Sequence, residues 1–194
     1  MEKVKVIALI LLTALILNSC ATVHEAELQS QTVEDIDGNI YRTIKKGNQV
    51  WMVDNLKTTR FNDGSAIPIA EYGEARELLE LAQPGYRWMS FDETRNKYLG
   101  ALYNWYAVET GKLCPKGWHV PSDKVYLNVF PDPVGSRNVR ASYSYNPSSY
   151  SYWTSTECST DQAFTQSVEW KGAHVTMGYL SKHAVLFVRC IKDQ

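Results

Sequence analysis

The residues able to do chemistry are four cysteines, four histidines and a tyrosine-rich stretch, and their spacing is informative. Cys20, Cys114, Cys158 and Cys190 contain no CxxC pair, so neither a zinc ribbon nor a thioredoxin-type redox site is supported. His24, His119, His174 and His183 show no metal-ligand spacing, and His174 and His183 alone make a weak zinc case. Cys158 sits in a Ser-Thr-Glu-Cys-Ser-Thr-Asp run that reads as an acidic loop. Negative neighbours oppose thiolate formation, so a nucleophilic role for Cys158 is disfavoured. Asp35-x-Asp37-Gly38 lacks the further oxygen ligands and closing Glu of a calcium loop and reads as a turn. No catalytic residue, metal or cofactor is expected. Carboxylate pairs for glycoside hydrolysis depend on spatial distance and have no sequence motif here.

The most suggestive stretch is Ala141 to Trp153, ASYSYNPSSYSYW, in which Tyr143, Tyr145, Tyr150 and Tyr152 alternate with Ser around Asn146-Pro147. Tyr, Ser and Asn dominate recognition loops, because Tyr supplies amphipathic contact at low entropic cost while Ser and Asn adapt their hydrogen bonds. One reading is a polar hairpin whose tyrosines pack on the domain. The other is a binding surface that stacks on sugar rings or meets a partner protein.

Composition bounds the rest. The chain has 194 residues, 20 Lys+Arg against 21 Asp+Glu and a net charge of −1, with no basic stripe for phosphates. Nucleic acid is therefore excluded as a partner. With 44% apolar and 21% charged residues the chain is globular, and its length suits a single domain. Its 12 Tyr and 6 Trp outnumber 5 Phe, favouring half-wet aromatic surfaces.

Lys3 and Lys5 precede an apolar run from Val6 to Leu17. As a helix this run would reach roughly 18 Å, short of the roughly 30 Å hydrocarbon core, so it reads as a secretory signal over residues 1–19. Leu17-Asn18-Ser19-Cys20 resembles a bacterial lipobox, which implies cleavage before Cys20 and its acylation, palmitate included. Residues 20–32 read as a polar tether, and 33–194 as the folded domain. The expected location is the outer membrane, lipid-anchored, facing the periplasm or the cell surface. Three cysteines then remain outside the cytosol, most simply one disulfide and one unpaired thiol.

The elements that must position these residues read as strands, then helices, then strands, an α+β order without βαβ alternation. Val33–Ile36 and Ile40–Ile44 flank Asp37-Gly38 as a hairpin, and Gln49–Val53 is the next strand. Helices are expected over Glu74–Ala82, over Leu99–Val108 with an end at Gly111, and from Ser122-Asp123 to Phe130. Gln166–Trp170 and His174–Leu180 form a hairpin, and Ala184–Ile191 reads as one last strand.

Six ordered blocks resemble a known family. They are Asp37-Gly38-Asn39-Ile40-Tyr41, the run from Gly47 to Leu56, Tyr103-Asn104-Trp105-Tyr106-Ala107-Val108, the run from Cys114 to Asp123 (CPKGWHVPSD), Trp153-Thr154-Ser155-Thr156-Glu157, and Val188-Arg189-Cys190. The chain is similar to the Fibrobacter succinogenes major paralogous domain family, found in secreted proteins and surface lipoproteins, chiefly of Bacteroidetes and Fibrobacter. The resemblance implies a single C-type-lectin-like α+β domain with antiparallel strands, two or three short helices and long loops. It also implies a disulfide between Cys114 and Cys190, leaving Cys158 unpaired, and scaffold roles for Trp51, Trp105, Trp118, Trp153 and Tyr103. The chain departs from the family after Asp123, where Val125-Tyr126 replaces an acid-Trp pair and the glycine-rich stretch is reduced. The expected function is a non-enzymatic cell-envelope lipoprotein for adhesion or for binding an extracellular glycan or protein, host proteins included. The alternative is a structural or assembly component of the envelope, and a third, weaker reading is an atypical hydrolase.

Overall fold

A computed structural model describes residues 31–69, 82–89, 98–126, 149–169 and 175–194. All of these except Gln31 belong to one unit, Thr32–Gln194. The expected helix over Glu74–Ala82 lies outside the described residues except at Ala82.

The N-terminal hairpin forms where Asp37-Gly38 places it. Strand β1 (Thr32–Glu34) pairs antiparallel with β2 (Ile40–Lys46), Val33 opposite Tyr41. Strand pairing thus begins at Thr32. Gly38 takes a φ of 80° that side chains with a Cβ rarely adopt. The Asp35 carboxylate organises the turn by accepting from the backbone N–H groups of Asp37 and Asn39 and from the Asn39 amide. Along β2 the period of two buries Tyr41 and Thr43 and turns Ile40 and Arg42 outward.

Strand β3 (Gln49–Met52) continues the meander, and the resulting sheet has the order β1-β2-β3-β11-β6, with β6 at Trp118–His119 and β11 at Ile191–Lys192. A second sheet has the order β10-β5-β4, from β10 (Val185–Leu186), β5 (Ala101–Asn104) and β4 (Tyr86–Trp88). The third is β7-β8-β9, from β7 (Ser149–Glu157), β8 (Gln162–Glu169) and β9 (Val175–Ser181). Every strand pair within these sheets is antiparallel. Among the described residues the helices are short, α1 (Trp105–Glu109) and α2 (Asp123–Tyr126), with Tyr98 and Leu99 also helical. The architecture is therefore mostly antiparallel β.

Three expectations need correction. The helix expected over Leu99–Val108 is half strand. All four residues of β5 are buried, so its apolar run has no polar face to separate a strand from a helix. Gly100, at φ 88°, turns the chain into β5 where a Cβ would lie 2.6 Å from that of Asn55 and 2.9 Å from the Leu56 carbonyl oxygen. Helix α1 then starts at its N-cap, Asn104, whose side chain accepts from the Ala107 N–H at 3.1 Å.

The single strand expected over Ala184–Ile191 is two short ones in different sheets. Between β10 and β11 the chain still pairs, but with several partners. The Phe187 carbonyl accepts from Trp153 N–H, Val188 from Leu56 N–H and Cys190 from Met52 N–H. The Ser-Thr-Glu-Cys-Ser-Thr-Asp run is not wholly a loop either, since β7 extends to Glu157 and only the following residues turn.

The aromatic scaffold residues are buried as expected: Trp51, Trp105, Trp118, Trp153 and Tyr103 all belong to the core. Their polar atoms are satisfied where they lie deepest. Trp105 donates to the Thr154 carbonyl at 3.0 Å, Trp153 to the Tyr103 carbonyl at 2.8 Å, and Tyr103 to the Thr58 carbonyl at 2.7 Å. These bonds link β5, α1 and β7. Cys114 and Cys190 form the disulfide that the resemblance implied, tying the segment after α1 to the approach to β11. With a sequence separation of 76 residues, chain-entropy arguments give it about 4 kcal/mol.

Candidate functional site

Strand β7 begins with the Ser-Tyr alternation, and the strand period turns Tyr150 and Tyr152 to one face. Tyr152 stands opposite Gln166 and Tyr150 opposite Val168 on β8. Both rings lean on Phe187, with centroid distances of 6.0 Å from Tyr150 and 6.2 Å from Tyr152, in tilted geometry. The Arg189 guanidinium lies 4.9 Å from the Tyr152 ring centroid, and its Nε donates to the Asn55 side-chain oxygen at 2.9 Å. Asn55 is held in turn by donating to the Leu99 carbonyl at 2.8 Å.

The two tyrosines differ in what they can reach. Tyr152 is 5% exposed and belongs to a second core cluster with Trp51, Leu102, Val168, Phe187 and Ile191. Tyr150 is half-buried at the rim of the same cluster. Burial raises both phenol pKa values, with Arg189 opposing it, so both hydroxyls stay neutral near neutral pH. On the other face, the Ser151 and Ser167 hydroxyls lie 2.8 Å apart. Tyr143 and Tyr145 lie outside the described residues. Among the described members of the set, Tyr150 is the one open to a ligand, with Tyr152 beneath it as support.

Phe187 and Arg189 complete this face; Phe187 was not singled out from the sequence, and Arg189 stood there only as part of the Val188-Arg189-Cys190 block. Their i, i+2 spacing places them on one side of an extended segment, but their proximity to β7 is a tertiary fact. Gln166 was also missed. It is fully buried, and neither amide atom has a hydrogen-bond partner among the described residues.

The other candidates fall elsewhere. Cys158 is unpaired and exposed, in the turn between β7 and β8. His119 Nδ1 lies 2.5 Å from Asp193 at an exposed position, and His183 Nε2 lies 3.1 Å from the Tyr106 hydroxyl. His24 and His174 lie outside the described residues.

Asp35 is occupied by its turn donors and by the Tyr41 hydroxyl at 2.5 Å. Asp37 accepts from Thr58, from the Thr59 N–H and hydroxyl, and from Arg60. Burial opposes ionisation of Asp37, but these bonds more than offset it and hold its pKa at about 2. Protein donors thus satisfy both carboxylates of the Asp35-x-Asp37 turn. Among the described residues no group of three or more His, Cys, Asp or Glu is placed to hold a metal.

The fold and site together describe a disulfide-tied, mostly antiparallel β domain with an aromatic face on its third sheet. The model of the Fibrobacter succinogenes major domain matches residues 44–128, and this stretch supports the resemblance to that family. The match covers β3 to α2 and includes Cys114, whereas β7, the tyrosines and Cys190 lie beyond it. No curated protein and no solved structure matches the chain. Among the described residues no helix is long and apolar enough to cross a membrane.

Proposed function

We propose that the chain is a non-enzymatic cell-envelope lipoprotein, anchored through Cys20, whose lectin-like domain binds an extracellular glycan or protein. The observation that carries this reading is Tyr150, half-exposed on a row of rings with Phe187 behind it and Arg189 fixing its neighbour Tyr152. A neutral, amphipathic phenol on a rigid support suits stacking on a sugar ring or a partner's apolar surface, because little entropy is lost on contact. The lectin-like assignment is supported by the Cys114–Cys190 bond, which ties the segment after α1 to the residue just before the last strand. The anchor is supported by the lipobox-like run ending at Cys20.

A glycan array and a pull-down with the full chain in detergent test the binding. Tyr150→Ala should weaken capture about tenfold, the equivalent of about 1.4 kcal/mol, while Tyr98→Ala, at an exposed position that is not part of this cluster, should not. Absence of any ligand, or equal capture by both variants, would remove the site. Metabolic labelling with a palmitate analogue should mark the wild-type chain and not Cys20→Ser.

A further inference from the structure

The outer strands of the three sheets differ in how they are protected. An edge strand offers unpaired backbone N–H and C=O groups, and proteins blunt such edges with brevity, charge, bulges or cover. In the five-stranded sheet the edges are β1, three residues long and carrying Glu34, and β6, two residues long. In the second sheet they are β10, of two residues, and β4, of three residues with Arg87 at its centre. In the third sheet β7 carries Glu157 and a register shift between Trp153 and Glu157. Its outer side is also covered, since Trp153 N–H donates to Phe187 and Ser155 N–H to Pro121.

Among the described residues strand β9 shows none of these devices. Its seven residues, VTMGYLS, include no charge and no proline, and its register with β8 runs unbroken from Val175 to Ser181. Among the described residues it pairs with β8 alone. Both faces at this edge are open: Thr176, Gly178 and Leu180 on one, Tyr179 and Ser181 on the other. Tyr179 is 58% and Leu180 42% exposed.

We propose that β9 is a homodimer interface, pairing antiparallel with β9 of a second copy to join two three-stranded sheets into one of six strands. A second copy fits for two reasons. Antiparallel pairing of a strand with itself obeys a two-fold axis, so one patch serves both subunits. The lack of charge means that self-pairing brings no like charges together, whereas the other edges longer than two residues carry Glu34, Arg87 or Glu157. With Gly178 at the axis, Tyr179 faces the partner's Met177, a favourable aromatic–thioether pair, and Leu180 faces the partner's Thr176. Two copies would carry two Tyr150 faces on one assembly.

Sedimentation velocity of the full chain in detergent tests this. Wild type and Tyr98→Lys should sediment as dimers, and Tyr179→Lys/Leu180→Lys as a monomer with an unchanged circular dichroism spectrum. Should the double variant fail to fold, Gly178→Cys in a Cys158→Ser background provides a second measurement. The axis predicts a disulfide-linked dimer from that variant and none from Cys158→Ser alone. A monomeric wild type, a dimer that the paired lysines leave intact, or no cross-link at position 178 would overturn the proposal.

Discussion

The N-terminal hairpin and the β7-β8-β9 sheet treat buried polar groups in opposite ways. In the hairpin, Asp35 and Asp37 each collect several donors, and Tyr41 is pinned between Asp35 and the Lys57 N–H, which donates to its hydroxyl at 3.1 Å. In the third sheet, Gln166 is fully buried with neither amide atom paired among the described residues. Tyr150 stands half open, and the outer strand carries exposed Tyr179 and Leu180. The difference separates a scaffold, where unmet hydrogen bonds would be costly, from a face on which contact with other molecules can be built.

Several substitutions would sharpen or break this contrast. The largest effect is expected at the disulfide. Cys190→Ser should lower unfolding free energy by about 4 kcal/mol in a denaturant titration, because the long loop regains its freedom when unfolded. Asp35→Ala should cost about 3 kcal/mol, since it leaves the buried Tyr41 hydroxyl and the turn amides without their acceptor. If Asp35→Ala proved neutral, the hairpin would not be the rigid half.

The pH dependence follows from Asp37. Its folded pKa of about 2 lies below the ordinary 3.8, so the fold binds this proton more weakly than the unfolded chain does. Its contribution should be complete above pH 4 and fade as the pH drops towards 2. Thermal melts across that window should show a shallower slope for Asp37→Asn than for wild type. The smallest effect, and of opposite sign, is expected for Gln166→Met, which replaces an unpaired buried amide by a thioether of similar size. A gain of about 1 kcal/mol is expected, and a loss would show that the amide has a partner it needs.

Legibility in the sequence follows how local the determining contacts are. Asp37-Gly38 marks its hairpin because turn, carboxylate and flanking alternation all lie within a few residues. Leu99 to Val108 misleads because a strand buried on both faces and a buried helix have the same apolar composition, and only the Asn104 cap and the Gly100 contact divide them. Ala184 to Ile191 is apolar and extended as read. Its division between β10 and β11 depends on β5 and β3, which lie far away in the chain. The same holds for the candidate face. The Ser-Tyr alternation shows that Tyr150 and Tyr152 share a side, whereas Phe187 and Arg189, arriving from the C-terminal segment, decide that Tyr152 is covered and Tyr150 is not.

The central claim is that this molecule meets its ligand through the third sheet's aromatic face, with the five-stranded sheet as scaffold. Photo-cross-linking in intact cells tests it most directly, with benzoylphenylalanine in place of Tyr150 or of Lys45, an exposed residue on β2. Adducts to a glycan or an envelope or host protein should form from position 150 and not from position 45. Adducts from position 45 alone, or equally from both, would contradict the account.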